Sequence, residues 1–207
     1  MALKSKTTQA NNTGLTFKKR SVDDKKKVMI YGNDGTGKST FAKTYCNNKG
    51  LNPVVIDIDD TNFTDLPIVE LQFDENDKKN YFNIKDIFKK VCLADEFDTI
   101  IIDGVTSLLE MLVSSANGLK AYKDRADRFN ELLLMLQKSG KNIIYIGQAD
   151  MKVIYSEDHQ SNKSVIKVNS IVNEKYHCYF GDKGEFKVET EKYRSISEKE
   201  WKSVHIV

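Results

Sequence analysis

The sequence predicts an α/β fold: a mainly parallel sheet sandwiched by helices, with an antiparallel hairpin extending its C-terminal side. Three observations carry this. Four short segments, Lys27–Tyr31 (KVMIY), Pro53–Asp57 (PVVID), Thr99–Ile102 (TIII) and Asn142–Ile146 (NIIYI), are almost wholly apolar, the mark of strands buried on both faces. Segments of helical character separate them. After Gln148 the pattern changes to period two around a glycine-rich turn.

The elements follow in order. Residues 1–26 are polar, aperiodic and rich in Lys, and read as a flexible basic tail with one short strand at Leu15–Lys18. From Lys27 to Val207 the chain reads as a single domain, the number its 207 residues predict. After the first strand, Ser39–Asn48 reads as helix. Beyond the second strand, Ile68–Phe73 suits an edge strand and Asp74–Tyr81 a charged loop. In Asn83–Ala94 the residues Ile84, Ile87, Phe88, Val91 and Cys92 form the stripe of an amphipathic helix. Asn83 is its expected N-cap and Asp86 favours the dipole of its first turn. Val105–Ala116 reads as helix. Phe129, Leu132, Leu133 and Leu136 mark another, stopped by Gly140. Tyr176–Phe180 and Glu185–Glu191 alternate about Gly181-Asp182-Lys183-Gly184, a hairpin, and Trp201 is expected to pack the end of the chain on the sheet.

Composition narrows the function. There are 32 basic and 30 acidic residues, a net charge of +2, which argues against a uniformly basic nucleic-acid binder. The balance hides a division: residues 1–27 hold eight basic residues and two acids, whereas residues 28–140 hold 13 basic and 18 acidic ones. Cys46, Cys92 and Cys178 are scattered and odd in number, which predicts free thiols rather than a zinc site or a disulfide framework. Residues 1–26 contain no apolar core of a signal peptide and no run approaches a membrane span, so a cytoplasmic protein without membrane attachment is expected.

One motif carries chemistry. Gly32-Asn33-Asp34-Gly35-Thr36-Gly37-Lys38-Ser39 matches GxxxxGK[ST] at every fixed position, between a strand and a helix. Phosphates need donors at close range, and glycines let backbone N–H groups approach them while a helix N-terminus adds a positive dipole end. Lys38 is expected on the β- and γ-phosphates, Ser39 on Mg²⁺ and Thr40 near the α-phosphate of ATP. Asp103, at the end of a buried strand, is the expected partner of Ser39 on the metal. Attack on the γ-phosphorus also needs an acceptor to orient water. Asp59, just past the second strand, is the candidate base, with Asp57 or Asp60 as substitutes, and Gln148 at the end of NIIYIG is placed to touch the γ-phosphate.

Missing signals narrow the class. The chain has no Asn-Lys-x-Asp or DxxG of a GTPase, no LSGGQ of an ABC ATPase and no arginine-rich kinase lid. Gly104, rather than Glu, follows Asp103, which sets aside DExx helicases and most AAA+ ATPases.

Together YGNDGTGKST, VVIDIDD, IIIDGVTSLLE and IIYIGQ resemble the RecA-type recombinase core over about Lys27–Gln148. Length and wording resemble phage nucleotide-binding proteins, including the short, single-domain RecA-like annealing recombinases of the Sak-four type. The resemblance implies an ATPase stimulated by single-stranded DNA, with rings or filaments that place ATP between subunits and a single-strand-binding protein as a further partner. It places the family's catalytic Glu at Asp59, one methylene shorter, and its strand-end Gln at Gln148. It also implies DNA-binding loops at Ser114–Arg128 and Asp150–Lys167, where Lys120, Tyr122, Lys123, Arg125, Lys152, Tyr155 and Lys163 combine phosphate neutralisation with base stacking. A finger from the neighbouring subunit would come from Lys187, Lys192 or Arg194. The competing expectations are a non-catalytic nucleotide switch or adaptor and a nucleoside or nucleotide kinase.

Overall fold

A computed structural model describes residues 25–61, 63, 65–71, 77–112, 118–148, 168 and 171–193. Residues 1–24, with the expected strand at Leu15–Lys18, and Trp201 lie outside the described residues. The elements are β1 (Lys27–Gly32), α1 (Lys38–Lys49), β2 (Pro53–Asp57), β3 (Ile68–Glu70), α2 (Asp77–Leu93), β4 (Thr99–Asp103), α3 (Val105–Met111), α4 (Leu119–Lys138), β5 (Asn142–Gln148), β6 (Glu174–Phe180) and β7 (Phe186–Tyr193). The strands form one seven-stranded sheet in the order β3-β2-β4-β5-β1-β6-β7. Every neighbouring pair is parallel except the hairpin β6–β7. The hairpin is therefore part of the main sheet, with β6 lying beside β1.

The apolar strands are apolar because both of their faces are covered. Alternate residues Val28, Ile30, Val55, Ile101 and Ile144 pack with Ala42, Tyr45 and Cys46 of α1. Their neighbours Met29, Tyr31, Ile56, Ile100 and Tyr145 pack with Phe88 of α2, Leu108 of α3 and Phe129 and Leu133 of α4. Parallel register brings Gly32 level with both Gln148 and Cys178, and Asp57 level with Asp103, so the C-terminal ends of β1, β2, β4 and β5 share one rim. Gly32 is fixed there by proximity: a Cβ on it would lie 2.1 Å from the Cys178 carbonyl oxygen. Among the described residues no helix is long and apolar enough to cross a membrane.

Three expectations need correction. Helix α2 begins at Asp77 rather than at an Asn83 cap, so part of the expected charged loop is helical. Tertiary partners explain this: Tyr81 is buried, donates a hydrogen bond to Glu131 of α4, and lies under the Arg128 guanidinium at 4.8 Å. Next, α4 starts at Leu119, so Lys120, Tyr122, Lys123 and Arg125 are on a helix and not in a loop. Buried Ala121 extends the apolar stripe by two turns ahead of Phe129, a weak signal in so polar a stretch. Finally, α3 ends at Met111, short of the expected Ala116, with residues 113–117 outside the described residues.

One core group carries no compensating bond. The Tyr145 hydroxyl is buried and has no hydrogen-bond partner among the described residues, and burial pushes its pKa up. An unpaired buried hydroxyl costs about 1–3 kcal/mol. Tyr145→Phe is expected to raise the urea midpoint, by about 1 kcal/mol of stability, whereas Phe88→Ala, at 0% exposure, costs about 3–5 kcal/mol. A Tyr145→Phe protein less stable than wild type would show that the hydroxyl is paired.

Candidate functional site

The rim where β1, β5 and β4 end holds the chemistry. The chain leaves β1 at Gly32, passes through Asn33–Gly37 and enters α1 at Lys38. Gly37 is the N-cap of α1 and makes no side-chain capping bond, and the first turn of α1 holds no acid. The orphan N–H groups of that turn and the dipole behind them therefore face the cleft without an internal anion to satisfy them. The loop is braced from within: the Thr36 hydroxyl donates to the Asn33 carbonyl at 2.7 Å. Lys38 folds back over the loop, its Nζ donating to the carbonyls of Gly32 at 3.1 Å and Asn33 at 2.8 Å. Carbonyls are neutral acceptors, and a phosphate oxygen in their place makes the stronger, charge-assisted bond.

Asp103 ends β4 inside the same cleft, at 2% exposure. Its Oδ2 accepts hydrogen bonds from the Ser39 hydroxyl at 3.0 Å and the Thr61 hydroxyl at 2.6 Å. Burial raises the Asp103 pKa above the usual carboxylate value; the Thr61 and Ser39 donors pull it back, and the nearby charges of Asp57 and Asp59 push it up again. A carboxylate and a hydroxyl this close, both hard oxygen donors, fit the protein share of a Mg²⁺ shell that is completed by water and phosphate. The ion would neutralise phosphate charge as transfer proceeds.

Asp59 also lines the cleft, which has a volume of about 590 Å³. Its carboxylate rests against Gly104: a Cβ on that residue would lie 2.5 Å from Asp59 Oδ1, and the Gly104 φ is +92°. The left-handed backbone at Gly104 strains any side chain there, and a Cβ would also displace the Asp59 carboxylate. Asp57, the first substitute, is buried and accepts a hydrogen bond from the Thr61 N–H at 3.2 Å; Asp60, the second, is exposed. Gln148, at the end of β5 between the other two strand ends, donates from Nε2 to Asp34 Oδ1 at 2.7 Å.

The structure thus gathers Asp34, Gly35, Gly37, Lys38, Ser39, Thr40, Asp59, Asp103 and Gln148 around one cleft. It adds Thr61 and Ser107, which the sequence reading missed. Both are single hydroxyls in unremarkable contexts; the fold brings both to the cleft and bonds Thr61 to Asp103. The candidate DNA-binding residues divide. Lys120, Tyr122 and Lys123 are exposed on α4, with the Arg125 guanidinium 5.1 Å from the Tyr122 ring centre. Lys152, Tyr155 and Lys163 lie outside the described residues, as does Arg194. Of the other finger candidates, Lys187 is held by Glu185 at 2.8 Å and Lys192 sits on β7.

A raised carboxylate pKa has a cost in the metal-free protein. Burial disfavours the ionised form of Asp103 in the folded chain, a penalty that vanishes when both folded and unfolded chains are protonated, below the ordinary value of 3.8. Metal-free Asp103→Asn is therefore expected to melt above wild type at pH 7, with the difference fading as pH falls toward 3.8. The same variant loses the rise in melting temperature that Mg²⁺ and nucleotide give together. A variant that melts below wild type at pH 7 would mean that the donated hydrogen bonds outweigh burial.

Comparison with known proteins agrees with this geometry. Residues 24–177, well over half of the chain, match the AAA domain family. Among solved structures the chain is similar to a KaiC-like protein from the hyperthermophilic archaeon Pyrococcus horikoshii OT3, at 16% identity and a TM-score of 0.51, covering 81% of this chain and 78% of that one. It is also similar to the flagellar accessory protein FlaH from Methanocaldococcus jannaschii, at 17% identity and a TM-score of 0.46, covering 80% and 77%. No curated protein matches the sequence. The first structural likeness bears on the fold alone, which is that of a RecA-like P-loop ATPase. Gly104 after Asp103 sets most AAA+ ATPases aside, and the match to an AAA domain leaves that reading standing. The chain belongs to the AAA domain family.

Proposed function

We propose that this protein binds and hydrolyses ATP and uses it to hold single-stranded DNA, as an annealing or recombination protein of the phage type. The observation that carries the ATPase reading is the pairing of Ser39 with Asp103 at 3.0 Å, beside an uncapped helix N-terminus with Lys38 folded over the loop. Every part that positions a triphosphate and its cation is present on one rim. Asp59 is the acceptor that orients the attacking water, and Gln148 exchanges its Asp34 partner for the γ-phosphate, so that β5 registers nucleotide state.

Two features support the DNA reading. Lys120, Tyr122 and Lys123 present cations and a half-exposed ring (49%) on the first turns of α4, in the chain segment that follows the Asp103 strand and its helix. The chain carries its basic surplus in residues 1–27, eight basic residues against two acids. A ring of this kind stacks on bases without regard to sequence. ATP-dependent assembly into rings or filaments is part of the same reading, as is a location in the cytoplasm of a host cell. One observation favours a second reading, a nucleotide switch with negligible turnover: Asp59 is shorter than Glu and is braced against Gly104 rather than reaching freely into the cleft.

ATP turnover measured with and without a single-stranded oligonucleotide separates the two. DNA is expected to stimulate wild type, Lys38→Ala to lose about 100-fold or more of the turnover, and Asp59→Ala to lose a comparable factor. Tight ATP binding with no turnover, whether or not DNA is present, selects the switch. Retention of the oligonucleotide on filters should require a slowly hydrolysed ATP analogue. Replacing Lys120 and Lys123 together by Ala should reduce the salt slope of retention by about two; an unchanged slope removes α4 from the DNA site.

A further inference from the structure

Phe180 and Phe186 form a pair of exposed aromatic rings at the tip of the β6–β7 hairpin, 49% and 67% exposed, with ring centres 5.0 Å apart and planes at 40°. Nothing in the phosphate chemistry above uses them. Their placement follows from register. Cys178 of β6 lies level with Gly32, the last residue of β1. Phe180 is two residues further along, so it stands about 7 Å past the strand end, beyond the rim from which the phosphate loop emerges. Alternation along β6 puts Phe180 on the same face as Tyr176 and Cys178, which pack in the α1 cluster. Phe186 faces Phe180 across the hairpin. Its ring reaches the phosphate loop itself: a Cβ on Gly37 would lie 3.3 Å from Phe186 Cδ1.

Gly37 therefore borders the phosphate cleft and also touches the ring pair. Thr40, near which the α-phosphate sits when phosphates lie on the loop, also belongs to α1, whose face the rings share. We infer that Phe180 and Phe186 are the stacking platform for the base of the bound nucleotide, an inference that rests on the nucleotide-site reading above. The hairpin holds the rings in place. Gly181 N–H donates to the Glu185 carbonyl at 2.8 Å and Gly184 N–H to the Gly181 carbonyl at 2.9 Å, which closes the turn. At the tip Glu185 accepts from the Lys183 N–H at 3.0 Å and pairs with Lys187 at 2.8 Å. Two ring faces recognise the area of a base and not its edge. The platform therefore takes purine nucleoside triphosphates in preference to pyrimidine ones and distinguishes ATP from GTP only weakly.

The test compares a nucleotide with a phosphate chain that lacks a base. Dissociation constants for ATP, GTP, CTP and inorganic tripolyphosphate are measured by calorimetry with Mg²⁺ on wild type, Phe186→Ala, Phe180→Ala and Phe186→Trp. Both rings are exposed, so the variants are expected to fold. Loss of a base–ring stack corresponds to about 5- to 150-fold in affinity. Expected is a loss in that range for ATP and GTP in each Ala variant, less than a twofold change for tripolyphosphate, and near wild-type ATP affinity in Phe186→Trp. Unchanged ATP affinity, or a parallel fall in ATP and tripolyphosphate, overturns the platform while leaving the phosphate site standing. Wild type that binds neither ATP nor tripolyphosphate overturns both. A change in sedimentation coefficient in the Ala variants with an unchanged ratio of ATP to tripolyphosphate affinity assigns the rings to a contact between copies of the chain and likewise overturns the proposal.

Discussion

The buried carboxylate of Asp103 is the joint on which the site depends. It accepts hydroxyl hydrogens from Ser39, at the start of α1, and from Thr61, beyond the end of β2. The backbone around it ties the same strand ends together. The Asp103 carbonyl accepts from Ile58 N–H at 3.0 Å, and Gly104 N–H donates to the Ile146 carbonyl at 3.3 Å. Three segments that are far apart in sequence are thus fixed to one short stretch of chain at one rim. A charge buried this deeply is costly unless it is well paired, and two hydroxyl donors on a single oxygen only partly compensate. A divalent cation beside this oxygen would remove the remaining deficit.

Strand order sets a single side chain beside that joint. β5 lies between β1, which feeds the phosphate loop, and β4, which ends in Asp103. Whatever stands at the end of β5 stands between the phosphate cradle and the metal ligand, and the residue there is Gln148. Its amide is bonded to Asp34 of the loop. The backbone N–H of Gln148 points to the Thr106 hydroxyl at 3.4 Å, at the start of α3. The end of β5 therefore touches both the phosphate loop and the helix that leads from Asp103 toward α4.

Much of this was legible in the sequence, for physical reasons that can be named. Strands β1, β2, β4 and β5 are buried on both faces, so periodicity could not mislead: apolar runs of five residues have few other solutions. The phosphate loop and Asp103 were legible because their chemistry demands particular residue types at particular spacings. The reading failed where structure is imposed from a distance. The first turns of α2 exist because Tyr81 finds Glu131 and Arg128 on α4, a pairing no local pattern announces. The start of α4 has only Ala121 to show for its buried side, and its Lys and Tyr content imitates a solvated loop. Thr61 was invisible because a lone Thr in a turn has a function only once the Asp103 carboxylate stands beside it.

The same distinction explains the charge of the chain. A net of +2 spread evenly would describe an indifferent surface. Instead Asp34, Asp59 and Asp103 line the cleft that is built to hold a polyanion, with Asp57 bound to Thr61 just behind it. Acids and phosphates repel, and Lys38 with the dipole of a single helix cannot offset three carboxylates together with a triphosphate. A divalent cation arriving with the phosphates would offset part of this anionic total, with Asp103 and Ser39 as the residues that would hold it. Acidity at this rim therefore favours a phosphate that comes with a cation over a bare anion.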